Sequence, residues 1–165
     1  MANHENIKKM KSYIDQVKTA MMATNWEGDA IRSRPMATLE VEDDGTIYFF
    51  TKDDSAKVDE IQEERELNLA YVDEDKGIWL SVSGRGSISH NRSKINELWN
   101  PSQKAWFPEG KDDPELAILK VKPHSAEYWD ATSSTVRFLF NMAEAIVKGK
   151  TYSEVAPSEN KKISM

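Results

Sequence analysis

The sequence predicts a mainly β domain of the α+β class, an antiparallel sheet or barrel with helices at its ends. Three observations predict it. Segments dense in β-branched and aromatic residues recur along the chain, among them TIYFFT at 46–51 and IWLSVSGRGSIS at 78–89. The links between such segments have hairpin length and turn chemistry: Glu27-Gly28-Asp29, Asp43-Asp44-Gly45 and Asp73 to Gly77. Helical periodicity is confined to the two ends and a few short stretches, so the crossover helices of a doubly wound parallel sheet are missing.

Each element follows from its local pattern. Ile7, Met10, Ile14, Val17 and Met21 recur at three- and four-residue steps and make one apolar stripe, a first helix. Residues 20–26 form a short apolar strand, and 31–41 alternate as a second. Asp43-Asp44-Gly45 turns the chain into the strand at 46–51. A helix capped by Asp54 or Ser55 should follow, with Val58, Ile61 and Arg65 on one side. Strands at 67–72 and 78–89 flank the next turn. Residues 91–99 read as helical, and 106–114 as irregular, with two prolines and a glycine. A long strand at 116–129 is expected to break at Pro123-His124. The helix at 134–148 carries Val136, Leu139, Phe140, Ala143, Ile146 and Val147 on its apolar face and stops at Gly149. Residues 1–156 make one domain; the polar stretch 157–165 is expected to be a frayed tail.

Composition narrows the function classes. The 165 residues carry a formal charge of −6, which argues against non-specific binding to nucleic acid or an anionic membrane, both polyanions. The absence of cysteine removes disulfides, thiolate nucleophiles and thiolate-bound zinc together. The polar N-terminus has no apolar signal core, and no apolar run approaches the roughly 18 residues that span a bilayer. The expected location is the cytoplasm. No GxGxxG or GxxxxGK[ST] motif supports a Rossmann or P-loop nucleotide site, and Ser81 and Ser83 lack a nucleophile elbow. His4, His90 and His124 share no metal-ligand spacing and read as surface or capping residues. Trp99, Trp106 and Phe107 flank the irregular segment and are expected to cover the barrel mouth or an interface.

One cluster carries chemistry. Arg32 and Arg34 share a strand face. The hairpin at 43–45 folds Thr51 back towards them, and Lys57 follows, with Ser55 near a predicted helix N-terminus. Guanidinium, ammonium, hydroxyl and amide donors converging on one place suit a phosphate monoester. From residue type and spacing alone, Arg32, Arg34 and Lys57 fit better as surface charges paired with the chain's many carboxylates.

The ordered set Arg32-Ser33-Arg34-Pro35-Met36, Phe49-Phe50-Thr51, Ser55-Ala56-Lys57, Trp79 to Gly86 and Glu127-Tyr128-Trp129-Asp130 resembles the FMN-binding split-barrel family, which includes pyridoxamine 5′-phosphate oxidase and the general stress proteins. It resembles the shorter stress-protein branch most. The resemblance implies an antiparallel six-stranded split β-barrel with flanking helices and an FMN site across a homodimer interface. It implies that the strand at Ser33 to Ala37, with Pro35 and Met36, runs along the isoalloxazine ring and offers main-chain groups to its edge, that Arg34, Thr51, Ser55 and Lys57 hold the ribityl phosphate, and that Arg32 belongs to the same cofactor site. Phe50 would lie at the flavin-facing end of its strand, and Trp79 would stand where the oxidases carry a flavin-contacting Gln. Trp129 would come from the second subunit, with Arg137 near the same site. Where the oxidases carry a strand-end Lys and a late Arg/His cluster, this chain has Leu39-Glu40 and Ala131 to Val136. That departure removes the grip on a substrate phosphate, so pyridoxamine phosphate oxidation is not expected. The expected function is that of an FMN-dependent oxidoreductase working with a small-molecule electron donor or acceptor. The alternative is a flavin-binding stress protein without turnover; haem or the deazaflavin F420 in the same groove is a weaker one.

Overall fold

The computed structural model describes residues 4–25, 30–53, 65–130, 135–149 and 160–164. In chain order these form α1 (His4–Val17), β1 (Thr19–Thr24), β2 (Arg32–Ala37), β3 (Glu40–Val41), β4 (Ile47–Lys52), β5 (Arg65–Asp73), β6 (Ile78–Ser89), α2 (Arg92–Leu98), a 3-10 helix (Pro101–Ala105), β7 (Leu116–Asp130), α3 (Thr135–Lys148) and β8 (Asn160–Ser164). The strands pair antiparallel in the order β2-β1-β5-β6-β7-β4-β3, and β8 pairs with β7.

The two ends of that order meet. Thr38 N–H donates to the Lys18 carbonyl at 2.8 Å, whereas the next residue, Leu39, donates to the Tyr48 carbonyl at 2.9 Å. Within two residues the chain leaves β1 and joins β4. β2 and β3 are therefore two parts of one stave that changes partner midway, and the sheet closes on itself. Counted as staves, the expected six are present; counted as strand segments there are eight, because this stave is split and β8 is added. A Tyr71 hydroxyl 2.8 Å from Thr38 Oγ1 ties the crossing point to the far wall. Tyr71 is fully buried, and that burial pushes its phenol well above the usual range.

Alternation fills the interior. Ile47, Phe49, Leu67, Leu69, Tyr71, Leu80, Val82, Leu119 and Val121 point inward. Met10, Tyr13 and Ile14 of α1 join this core, so α1 closes one end of the barrel. Gly45, at φ +89°, lets the hairpin turn against Ile7 and Met10. A second apolar cluster lies on the outer wall, where Tyr48, Phe50, Leu116 and Ile118 pack under Ile95, Trp99 and Phe107.

Four expectations are corrected. The first helix stops at Val17 because Lys18 takes φ +65° and its N–H bonds Ile14 O at 2.7 Å, a left-handed cap; Met21 belongs to β1. Arg65 opens β5 and is not a helix residue; the rest of the expected helix, with Val58 and Ile61, lies outside the described residues. The interruption expected at Pro123-His124 is a bulge and not a break, and β7 runs on through it. Ser83 pairs with Ser125 but Gly84 with Pro123, so His124 is the extra residue of a bulge. A Cβ on Gly84 would stand 2.6 Å from the Lys122 carbonyl, so only glycine allows that approach. Finally, the expected tail carries β8, whose residues pair with Ser125 to Trp129.

Candidate functional site

The stave that changes partner leaves a notch. The β3–β4 register, Glu40 to Tyr48 and Val41 to Ile47, would set Ala37 level with Thr51 if it continued. It does not continue, because β2 swings across to β1. Among the described residues β2 pairs only with β1, so one edge of its backbone is open in an otherwise closed sheet. Pro35 suits that position, since an edge strand tolerates the lost donor.

Side chains of β2 alternate about this edge. Arg32, Arg34 and Met36 lie opposite Thr24, Met22 and Ala20, the inward residues of β1. Met36 packs against the core, while Arg34 Nη2 donates to the buried Thr24 Oγ1 at 2.9 Å. Thr51 shares the inward alternation of Ile47 and Phe49 and sits where β4 ends. Arg32 and Arg34 thus lie on the inward side of β2 and Thr51 on the inward side of β4, and these two strands come into contact. Ser33 and Pro35 lie on the outward side of the same strand. Ser55 and Lys57 fall outside the described residues, as does the Arg137 side chain, whose backbone belongs to α3. Arg65 is the residue that sequence reasoning missed: it opens β5 two residues before the inward Leu67, on the wall next to β1. Its signal was the alternation running back from Leu67, masked by the helical reading of the segment before it.

The nearby acids are engaged elsewhere. Lys94 Nζ donates to Glu40, Glu42 and Glu97 at 2.9, 3.0 and 3.1 Å and lies over the Tyr48 ring. Burial disfavours the Lys94 charge, but the three carboxylates outweigh it and raise its pKa. The Lys94 bond holds Glu42 below its usual range. Burial and the bond to Glu42 push the Tyr48 phenol up to about 12.

Phe50 does not face the notch. Its ring is buried on the outer wall, 5.9 Å from Trp99 and 5.9 Å from Phe107, so only its main chain is available to a ligand. Trp99 and Phe107 thus cover the outer wall and not the barrel mouth, and Trp106 is 74 % exposed. His90 pairs with Asp53, and His124 lies 2.8 Å from Glu66, in keeping with surface histidines. Among the described residues no group of His, Asp or Glu has the geometry to hold a metal ion.

Trp79 and Trp129 form a second group. They are register partners on the outward face of β6 and β7, and Val72 on β5 is level with them. Trp129 lies near the end of β7 and faces outward. From Ala117, the partner of Thr51, it is twelve residues along β7, ~40 Å of strand. Trp79 and Trp129 thus lie on the outward face of their strands, whereas Arg34 and Thr51 lie on the inward face of theirs.

A six-stave barrel with a partner-changing stave and an open β2 edge defines the split-barrel class. Within that class, residues 5–153 match the model of the family described as pyridoxamine 5′-phosphate oxidase like, and the chain belongs to that family. It is 29 % identical over 156 residues to Protein bli-3 of Neurospora crassa, covering 88 % of this chain and 75 % of that protein. It is 28 % identical over 137 residues to General stress protein 26 of Bacillus subtilis, covering 81 % of this chain and 95 % of that one. The crystal structure of a general stress FMN/FAD binding protein from Xanthomonas citri superposes with a TM-score of 0.68 at 28 % identity, covering 80 % of this chain and 93 % of that one. Among the described residues no helix is long and apolar enough to cross a membrane.

Proposed function

We propose that this chain binds FMN in the notch between β2 and β4 and acts as a cytoplasmic flavin-dependent oxidoreductase. The observation that carries the reading is the open β2 edge beside Arg34 and Thr51. A planar heteroaromatic ring rimmed with donors and acceptors needs unpaired main-chain groups along one side, and 32–37 offers them. A phosphate needs charged and hydroxyl donors, and Arg34, with Thr24 fixing its guanidinium, and Thr51 supply them. Ser55 and Lys57 follow Thr51 closely enough in the chain to complete that set. The flavin/stress-protein relative adds support. Bound FMN would supply the redox chemistry, and the chain's residues bind and orient it. No described side chain stands out as an acid or base, so none is assigned a catalytic role.

The same reading calls for a homodimer. Trp79 and Trp129 face outward while the notch residues face inward, so in this reading they complete the site of a second copy. Met21, Val72, Trp129, Met142, Ile146 and Val147 are all at least 40 % exposed, which suits surfaces that another copy covers.

The test is a fluorescence titration with FMN. Wild type should quench flavin emission at a one-to-one ratio per chain. Arg34→Ala should weaken binding by ~1.5–3 kcal/mol, the scale of one charged hydrogen bond. Equal affinity in both proteins would remove the phosphate assignment. Bleaching of bound flavin by NADH or NADPH with turnover supports the oxidoreductase; tight retention without reduction supports a flavin-binding stress protein instead.

A further inference from the structure

Just past Thr51, Asp53 and His90 make a side-chain contact that the site described above does not use. Asp53 follows β4 directly, two residues after Thr51. Its N–H donates to the Glu115 carbonyl at 2.7 Å and extends the β4–β7 ladder by one rung. Its carboxylate meets His90 Nε2. His90 follows β6, on the other side of β7. Ser89 is paired with Ile118 and Thr51 with Ala117, so the imidazole and the carboxylate meet across the start of β7. Ala117, the β7 residue between them, is small and fully buried, which leaves room for that bridge. The Asp53 side chain is only 16 % exposed. A largely buried carboxylate two residues from a phosphate-binding hydroxyl is an electrostatic liability unless a cation or donor holds it.

We propose that His90 is a positioning residue for cofactor binding. It holds Asp53 against the start of β7, so that β4 leaves the barrel in one direction and the Thr51 hydroxyl faces the notch. It also turns the Asp53 charge away from the incoming phosphate. This inference rests on the FMN reading above and adds a group that touches no ligand.

The experiment is an FMN titration of the full chain, wild type and variants, with thermal melts of the apoproteins alongside. His90→Ala should weaken FMN binding about tenfold, and His90→Gln, which keeps a donor near the Nε2 position, should recover most of that loss. Asp53→Ala should weaken binding similarly, and the double variant should be no worse than either single one, because the two residues act as one unit. Apo melting temperatures should differ by only a few degrees, since His90 lies at the surface. Unchanged affinity in His90→Ala, additive losses in the double variant, or losses that merely follow apo stability would each overturn the role. A wild-type chain that takes no FMN would overturn the cofactor reading as well, whereas binding that is indifferent to His90 would overturn the clamp alone.

Discussion

Two parts of the barrel's outer wall carry the same kind of residue and meet different fates. Over β4 and the first half of β7, Phe50, Tyr48, Leu116 and Ile118 are buried under Ile95, Trp99 and Phe107. Over β5, β6 and the second half of β7, Val72 and Trp129 stand 55 % and 43 % exposed, with Trp79 half-buried between them. A barrel consumes only the inward half of each strand, so apolar outward residues need a second layer. The stretch between β6 and β7 supplies that layer for one region from within the chain. Asn91 caps α2 by accepting from Lys94 N–H, Asn100 caps the 3-10 helix, and Arg92 bonds the carbonyls of Asp113 and Pro114 at 3.1 and 3.3 Å. Nothing comparable covers the Trp79–Trp129 region among the described residues. Aromatic content alone does not separate a covered wall from an exposed one; connectivity does.

The largest expected effect breaks the covered region. Phe50→Ala leaves a cavity beneath Trp99 and Phe107 and should cost ~3–5 kcal/mol of folding stability, measured by urea unfolding. A cost under about 1 kcal/mol would show that α2 and the 3-10 segment do not behave as core. The bare region should respond in the opposite way. Trp129→Glu should change the chain's folding stability by less than about 1 kcal/mol, yet weaken self-association by ~2 kcal/mol or more. Light scattering at a fixed low-micromolar concentration should move from dimer to monomer. A dimer unaffected by Trp129→Glu would place the second copy elsewhere.

The smallest effect sharpens the account of how α2 is held down. Lys94→Met removes the ammonium shared by Glu40, Glu42 and Glu97 and should cost about 1 kcal/mol at neutral pH, because the carboxylates are partly solvated. The pH dependence has a definite sign. Glu42 is held below its ordinary value, so its contribution is present above pH 4.5 and fades as acid protonates it in the folded state. Tyr48 is raised from 10.0 to about 12, so its contribution is present below pH 10 and is lost as pH climbs through that range. Melting temperature against pH should therefore fall at both limits in wild type. In the Lys94→Met variant the acid limb should be shallower. Equal acid limbs in the two proteins would detach Glu42 from Lys94.

Sequence and structure agree where a signal is local. The strand at 78–89 has the boundaries its alternation predicts, and the Asp43-Asp44-Gly45 turn forms, with Asp44 Oδ1 accepting from Thr46 N–H at 2.9 Å. Arg32, Arg34 and Thr51 were legible as a group because one hairpin relates them. Met21 was misassigned because an apolar step of four continues a helical stripe whether or not the backbone does; Lys18 ends the helix by a conformation that no residue type announces. Arg65 was misassigned for the mirror reason, an apparent helix running on into a strand. Phe49 and Phe50 are adjacent and alike, and nothing in the pair says which ring fills the barrel and which meets Trp99.

By itself, then, the sequence determined the antiparallel class, most strand centres and the shared face of Arg32 and Arg34, because alternation and turn chemistry act over a few residues. Tertiary structure alone decided that one stave splits between β1 and β4, that the β6–β7 connection covers one outer wall, and that Asp53 and His90 meet across β7. Those outcomes depend on which distant strands become neighbours. That choice is settled by closing a barrel around a shared core, and it leaves no mark within any single segment.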